Sequence, residues 1–172
     1  MAKVRKAVAY RALERPYTRY SKYKNQNFVR GNPHVKIVRF TSGNPKKEFP
    51  AKIVLISSNS LQIRDIAIES ARLACGRSLE KSIGKENFHM KFLIYPHHIL
   101  RENPLASGAG ADRMSTGMKK SFGKPIGKAA QVKAGKELVV VRTETKNISA
   151  AKKALRYAAH KFPTSCTVKV LE

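Results

Sequence analysis

The first 33 residues hold nine lysines and arginines against a single acid, Glu14. The bases are Lys3, Arg5, Lys6, Arg11, Arg15, Arg19, Lys22, Lys24 and Arg30. No period of 3.6 or 2 runs through the stretch, so it suits neither an amphipathic helix nor a half-buried strand. A segment of this kind stays extended until it meets a polyanion. Four of the six tyrosines, Tyr10, Tyr17, Tyr20 and Tyr23, are interleaved with the cations. That mixture suits RNA, because rings stack on bases while cations reach phosphates. Residues 1–33 are therefore expected to form an extended basic RNA-binding arm, and residues 34–172 a single α+β domain.

The imbalance extends to the whole chain, which carries a formal charge of +24 over 172 residues. Such a charge repels itself in a compact fold unless a polyanion lies nearby. Yet 42% of the residues are hydrophobic, too many for a disordered tail. The expectation is a folded core beneath a strongly basic surface, with nucleic acid as the counter-charge. The two cysteines, Cys75 and Cys166, lack the spacing of a zinc site and are too few for a secreted disulfide scaffold. No run reaches the ~20 apolar residues of a membrane span. The first residues lack the apolar stretch of a signal peptide. The expected location is the cytoplasm, with no membrane partner.

Beyond the arm the pattern becomes globular. Residues 34–40 (HVKIVRF) read as a strand, followed by a turn at Gly43, Asn44 and Pro45. Residues 51–56 (AKIVLI) read as a short buried strand. Ser57, Ser58, Asn59 and Ser60 offer helix caps, and a helix is expected from there to about residue 82. Its small-residue stripe would hold Ile63, Ala67, Ala71, Ala74 and Ser78, with Gly84 closing it. Residues 88–95 alternate, with Phe88, Met90, Phe92 and Ile94 on one face and His89, Lys91 and Leu93 on the other. Pro96 interrupts, and residues 97–101 can continue as an edge segment. Residues 129–132 and 137–143 read as a hairpin turning near Ala134 and Gly135. A second helix, capped by Asn147 or Ser149, would place Ala151, Leu155, Ala158 and Phe162 on one face and stop at Pro163. Cys166, Val168 and Val170 alternate in a last strand. The order predicts two helices layered on a mixed or antiparallel sheet.

Residues 103–127 form a second unusual block. It holds five of the ten glycines, Gly108, Gly110, Gly117, Gly123 and Gly127, and few large aliphatic side chains. A flexible loop is expected at about 103–125. It fails as a dinucleotide loop, because Arg113 stands where a third glycine is needed. It fails as a P-loop, because five residues separate Gly117 from Gly123 and Pro125 follows Lys124. What remains is backbone free to approach a ligand closely, flanked by Arg113, Lys119, Lys120 and Lys124. RNA contact is the expected use. His97 and His98 point to opposite strand faces and cannot readily share an ion. With His89 they are expected to be structural or to stack on bases. No metal, cofactor or catalytic group is expected.

Several segments together resemble one family. Residues 28–33 (FVRGNP) followed by Lys36 and Ile37, residues 84–89 (GKENFH) and residues 96–101 (PHHILR) carry the likeness. So do residues 109–114 (AGADRM), 116–118 (TGM) and 122–125 (FGKP). They are similar to a large-subunit ribosomal protein family, L-sixteen in bacteria and L-ten-e in archaea and eukaryotes, in its archaeal and eukaryotic branch. The resemblance implies a hammerhead-like α+β sandwich. It also implies a place in the large subunit near 5S rRNA and the aminoacyl-tRNA site. The segment matching 103–124 would reach toward the peptidyl-transferase centre, with His98, Arg101 and Arg113 on that side.

Charge pattern and resemblance together yield a set of candidate rRNA- and tRNA-binding residues. Arg19, Lys22, Lys24 and Arg30 lie in the arm and Lys36 just beyond it. His98 and Arg101 lie on the edge segment, Arg113, Lys119, Lys120 and Lys124 in the loop, and Lys128 after it. The expected role is structural, in subunit assembly and tRNA positioning, without catalysis. The expected partners are large-subunit rRNA, 5S rRNA, tRNA in the aminoacyl and peptidyl sites, and neighbouring ribosomal proteins. The chain would act as a monomer within the ribosome. Two rival readings are a small basic RNA-modifying enzyme or nuclease and a free RNA chaperone. The first needs convergent acid–base groups or a cofactor loop, and the sequence offers neither. The second does not need the hydrophobic core.

Overall fold

Among the described residues, eight strands form two sheets that share one core with two helices. The computed structural model describes residues 5–13, 25, 31–103 and 122–171. The larger sheet contains β1 (Thr41–Gly43), β2 (Ala51–Ser57), β4 (Phe88–Phe92), β7 (Glu137–Thr143) and β8 (Cys166–Leu171), in the order β1-β4-β7-β2-β8. The smaller holds β3 (Leu61–Arg64), β5 (His98–Glu102) and β6 (Lys124–Val132), in the order β3-β6-β5. Every pairing among the described residues is antiparallel.

The helices α1 (Asp65–Ile83) and α2 (Ile148–Ala159) pack on each other and cover one face of the five-stranded sheet. The residues facing them are Ile53 and Leu55 of β2, Phe88, Met90 and Phe92 of β4, and Val139 and Val141 of β7. α1 buries Ile68, Ala71, Cys75 and Leu79, and α2 buries Ala151, Ala154, Leu155 and Ala158. The alanines bring the helix backbones close without leaving a void. Leu61, Ile63, Ala130 and Val132 of the smaller sheet join the same cluster. The alternation expected over 88–95 holds, with Phe88, Met90, Phe92 and Ile94 buried. The face expected for the second helix also holds, with Ala151, Leu155, Ala158 and Phe162 all buried.

Three local expectations are corrected, and two of them meet at one seam. The helix expected from Ser57–Ser60 begins later, at Asp65, because Leu61–Arg64 pairs with β6 as a strand. The buried stripe moves accordingly. Ala71 stays in it, Ala67, Ala74 and Ser78 are only half-buried, and Ile68, Cys75 and Leu79 take their places. The expected hairpin between β6 and β7 does not form, since β6 pairs with β3 and β5 while β7 pairs with β2 and β4. The β2–β3 and β6–β7 connections both cross between sheets, and they bond to each other. Gly135 N–H donates to Ser57 O at 2.8 Å, Ser57 N–H to Lys136 O at 3.0 Å, and Ala134 N–H to Ser60 Oγ at 2.9 Å. Of the serines that looked like helix caps, Ser57 and Ser60 bond across this seam, and Ser58 N–H donates to Ser165 O instead.

The third correction concerns residues 34–40, which run without a strand partner. Their backbone is satisfied by acids on α1. Lys36 N–H donates to Asp65 Oδ2 at 3.1 Å and Val38 N–H to Glu69 Oε2 at 3.4 Å, while Ile37 enters the core. Carboxylates replace the carbonyls of a neighbouring strand. Gly43 ends β1 with φ +89°, and a Cβ there would lie 2.1 Å from Phe88 O. Only glycine fits that approach. Gly84 closes α1 as expected, with φ 77° and its N–H donating to Glu80 O.

Candidate nucleic-acid interface

The chain's own N-terminal stretch bonds to the three-stranded sheet. Residues 5–13 lie along β3, with a short 3-10 turn at Ala7–Ala9. Gln62 N–H donates to Arg11 O at 2.9 Å, and Gln62 Nε2 donates to Ala12 O at 2.5 Å. Arg64 Nη1 donates to Arg5 O at 2.8 Å, and its guanidinium sits 5.2 Å from the centre of the Tyr10 ring. The Arg5 guanidinium pairs with Glu102. Arg5 and Arg64 are thereby committed to contacts inside the molecule.

The ribbon of β5 and β6 carries four of the candidate residues. Arg101 Nη1 donates to Phe122 O, and Glu102 stands opposite Lys124 in the ladder. These contacts hold together the two ends of the connection between β5 and β6. Lys124 is exposed. His98 is 6% exposed, opposite Ala129, and its Nδ1 has no hydrogen-bond partner among the described residues. Burial holds the His98 imidazole below its usual value, reinforced by His97 and Arg101. His97, its neighbour, is exposed, as strand alternation requires.

Lys128 is only 8% exposed, yet it lines an open groove of about 830 Å³ with Asn32, His34, Lys36 and Tyr95. Phe40 and Tyr95 meet there with ring centres 5.5 Å apart. A cation at the bottom of a groove, an exposed Lys36 at its rim and an aromatic wall can receive a phosphate and stack a base. The structure thus brings Lys36 and Lys128 together in one groove and places Arg101 and Lys124 at the root of the 104–121 connection. Arg19, Lys22, Lys24, Arg30, Arg113, Lys119 and Lys120 lie outside the described residues.

The sequence reading passed over a second cluster. Lys52, His89, Lys91, Arg142 and Lys169 all stand on the face of the five-stranded sheet away from the helices. The alternation of β4 had separated His89 and Lys91 from the core, but Lys52, Arg142 and Lys169 come from strands distant in sequence. Only the register joins them.

Burial pushes the Cys75 thiol up to about 12 and the Cys166 thiol up to about 11, far from a reactive thiolate. Among the described residues, no three His, Cys, Asp or Glu side chains cluster as a metal site requires. No helix among them is long and apolar enough to cross a membrane.

The chain is 41% identical over 167 residues to the large ribosomal subunit protein uL16 of Methanococcus maripaludis, covering 97% of this chain and 94% of that one. It is 41% identical over 161 residues to the protein of the same name from Archaeoglobus fulgidus, covering 94% and 89%. With that of Thermoplasma volcanium it shares 42% over 158 residues, covering 91% and 90%. A family of ribosomal proteins, described as ribosomal protein L16p/L10e, matches residues 15–169. The family match over residues 15–169 and relatives 41–42% identical over nearly the whole chain agree: this chain belongs to the ribosomal protein L16p/L10e family.

Proposed function

We propose that the chain is a structural component of the large ribosomal subunit that binds rRNA and helps to position tRNA. The observation that carries this reading is the groove where Lys36 and Lys128 converge beside Tyr95, in a member of a ribosomal protein family. Lys36 and Lys128 meet rRNA phosphate there, while Arg101 and Lys124 orient the 104–121 connection toward RNA. His98 supports that ribbon from beneath. The arm residues Arg19, Lys22, Lys24 and Arg30 and the loop residues Arg113, Lys119 and Lys120 add further phosphate contacts. The body is a hammerhead-like sandwich, and its neighbours are 5S rRNA, the aminoacyl-site tRNA, the peptidyl-site tRNA and other ribosomal proteins. The mechanism is charge neutralisation, which lets rRNA helices approach one another and the tRNA. The site of action is the cytoplasmic ribosome.

Co-sedimentation with the large subunit through increasing salt tests the reading. The full chain should remain with the subunit at one copy, and Lys36→Gln with Lys128→Gln should release it at lower salt. A chain that stays at the top of the gradient overturns the reading.

A further inference from the structure

The open face of the five-stranded sheet carries two cationic rows set by the register. One runs Gly43, His89, Arg142, Lys52 and Leu171 across the five strands; the next runs Thr41, Lys91, Val140, Val54 and Lys169. Neighbouring strands lie about 4.8 Å apart and alternate residues about 6.7 Å along a strand. Five basic side chains therefore share a patch only a few strands wide. Val54 and Val140, both buried, form its floor. None of Lys52, His89, Lys91, Arg142 and Lys169 makes an ion pair with a described residue. Glu137 is the one acid lining the shallow groove at its centre.

Two features narrow the partner. That groove is about 150 Å³, below the ~300 Å³ at which ligand pockets begin, so recognition is by surface rather than insertion. The rows also contain no Phe or Tyr. RNA-binding sheets that read unstacked bases do so by stacking them on aromatic rings. A cationic sheet face without rings can read phosphates and helix shape, but it offers no platform for a splayed base. The wide, shallow minor groove of A-form RNA, rimmed by phosphates, is the shape that such a face meets.

We propose that this face docks the phosphate backbone of double-helical RNA, with Lys91, Arg142, Lys52 and Lys169 as the phosphate contacts and His89 between them. The proposal rests on the rRNA-binding reading and adds to it a second surface and the form of RNA that it takes.

The test uses the full chain with two probes: an RNA duplex of about 16 base pairs, the span of known duplex-shape readers, and a single-stranded oligouridylate of equal length. Affinities are measured by fluorescence anisotropy between about 50 and 200 mM salt. The variant Lys91→Gln with Arg142→Gln should weaken duplex binding about tenfold and lower the salt slope by about 2, while oligouridylate binding changes far less. Lys152→Gln with Lys153→Gln, on the exposed side of α2, removes equal charge and should leave the duplex preference intact. Unchanged duplex binding, or equal loss for both probes, overturns the proposal. A second readout needs no variant. Duplex phosphates should raise the titration midpoint of the His89 imidazole in proton NMR, and an unmoved midpoint overturns the proposal. A chain that enters the large subunit but fails these tests loses only this surface. A chain that fails to co-sediment loses the broader reading as well.

Discussion

The two sheets use similar residues to opposite ends. The three-stranded sheet binds residues 5–13 of its own chain, and the basic side chains at that contact are spent internally: Arg5 on Glu102, Arg64 on Arg5 O and the Tyr10 ring. The five-stranded sheet leaves its outer face open, and its cations have no acidic partner among the described residues. Counting lysines and arginines does not separate the two cases. A cation paired with a fixed carboxylate is already neutralised and one bonded to a carbonyl is already held, whereas an array of like charges on one face lowers its energy only when an anion arrives. Binding capacity therefore follows the pairing of the charges.

The largest expected effect concerns what the sheets share. Phe88→Ala should cost about 3–5 kcal/mol, because its ring is fully buried in the common cluster. Both sheets should lose hydrogen-exchange protection in one transition. Survival of the β3–β6 ladder after the β4–β7 ladder has opened would show that the sheets are independent units.

Ala71→Leu should cost about 1–3 kcal/mol by overpacking the buried face of α1. Differential scanning calorimetry checks this, and an unchanged midpoint would mean that the helix face has room to spare. Gln62→Leu should cost about 1–2 kcal/mol and act locally. It removes the amide that holds Ala12 O, so residues 5–13 should be cleaved faster by protease while the five-stranded sheet keeps its protection. Equal loosening of both sheets would mean that the N-terminal segment supports the whole core.

Acid should separate the two faces by cause. His89 and His98 both titrate below the ordinary imidazole value of about 6.5. Burial is the first cause for each, followed by Arg142 and Lys91 for His89 and by His97 and Arg101 for His98. The unfolded chain then binds more protons than the folded one, so their contribution to stability rises with pH up to about 6.5 and is lost as pH falls below it. His98→Gln and His89→Gln should each flatten that acid limb in denaturant titrations. Bound duplex RNA should remove the contribution of His89 and leave that of His98. The smallest effect is expected from Lys169→Gln, whose side chain is exposed and makes no ion pair among the described residues. Its stability should stay within about 0.5 kcal/mol of the parent in urea melts, while duplex affinity falls.

Much of the fold was legible where one periodicity decided the matter. β4 alternates by twos and α2 repeats by three and four, and each buries the side chains that its pattern predicts. The pattern misled where a local signal served a distant partner. Ser57–Ser60 has the chemistry of a helix cap, but Ser57 and Ser60 bond to residues 134–136 instead, as in the Ala134 N–H to Ser60 Oγ bond with a separation of 74. Ala134 and Gly135 form a tight turn, yet the strands on either side belong to different sheets. In the candidate interface, Lys36 and Lys128 were legible as cations but not as neighbours.

By itself the sequence determined the excess of positive charge, the presence of a hydrophobic core, the alternating and helical segments and the family motifs. All of these are properties of composition and of residues close in the chain. Tertiary structure alone decided which sheet each strand joined and which charges were consumed internally. It also decided that Lys52, Lys91, Arg142 and Lys169 share one face. Those outcomes depend on strand register and on contacts between distant residues, where burying the common core outweighs any local preference.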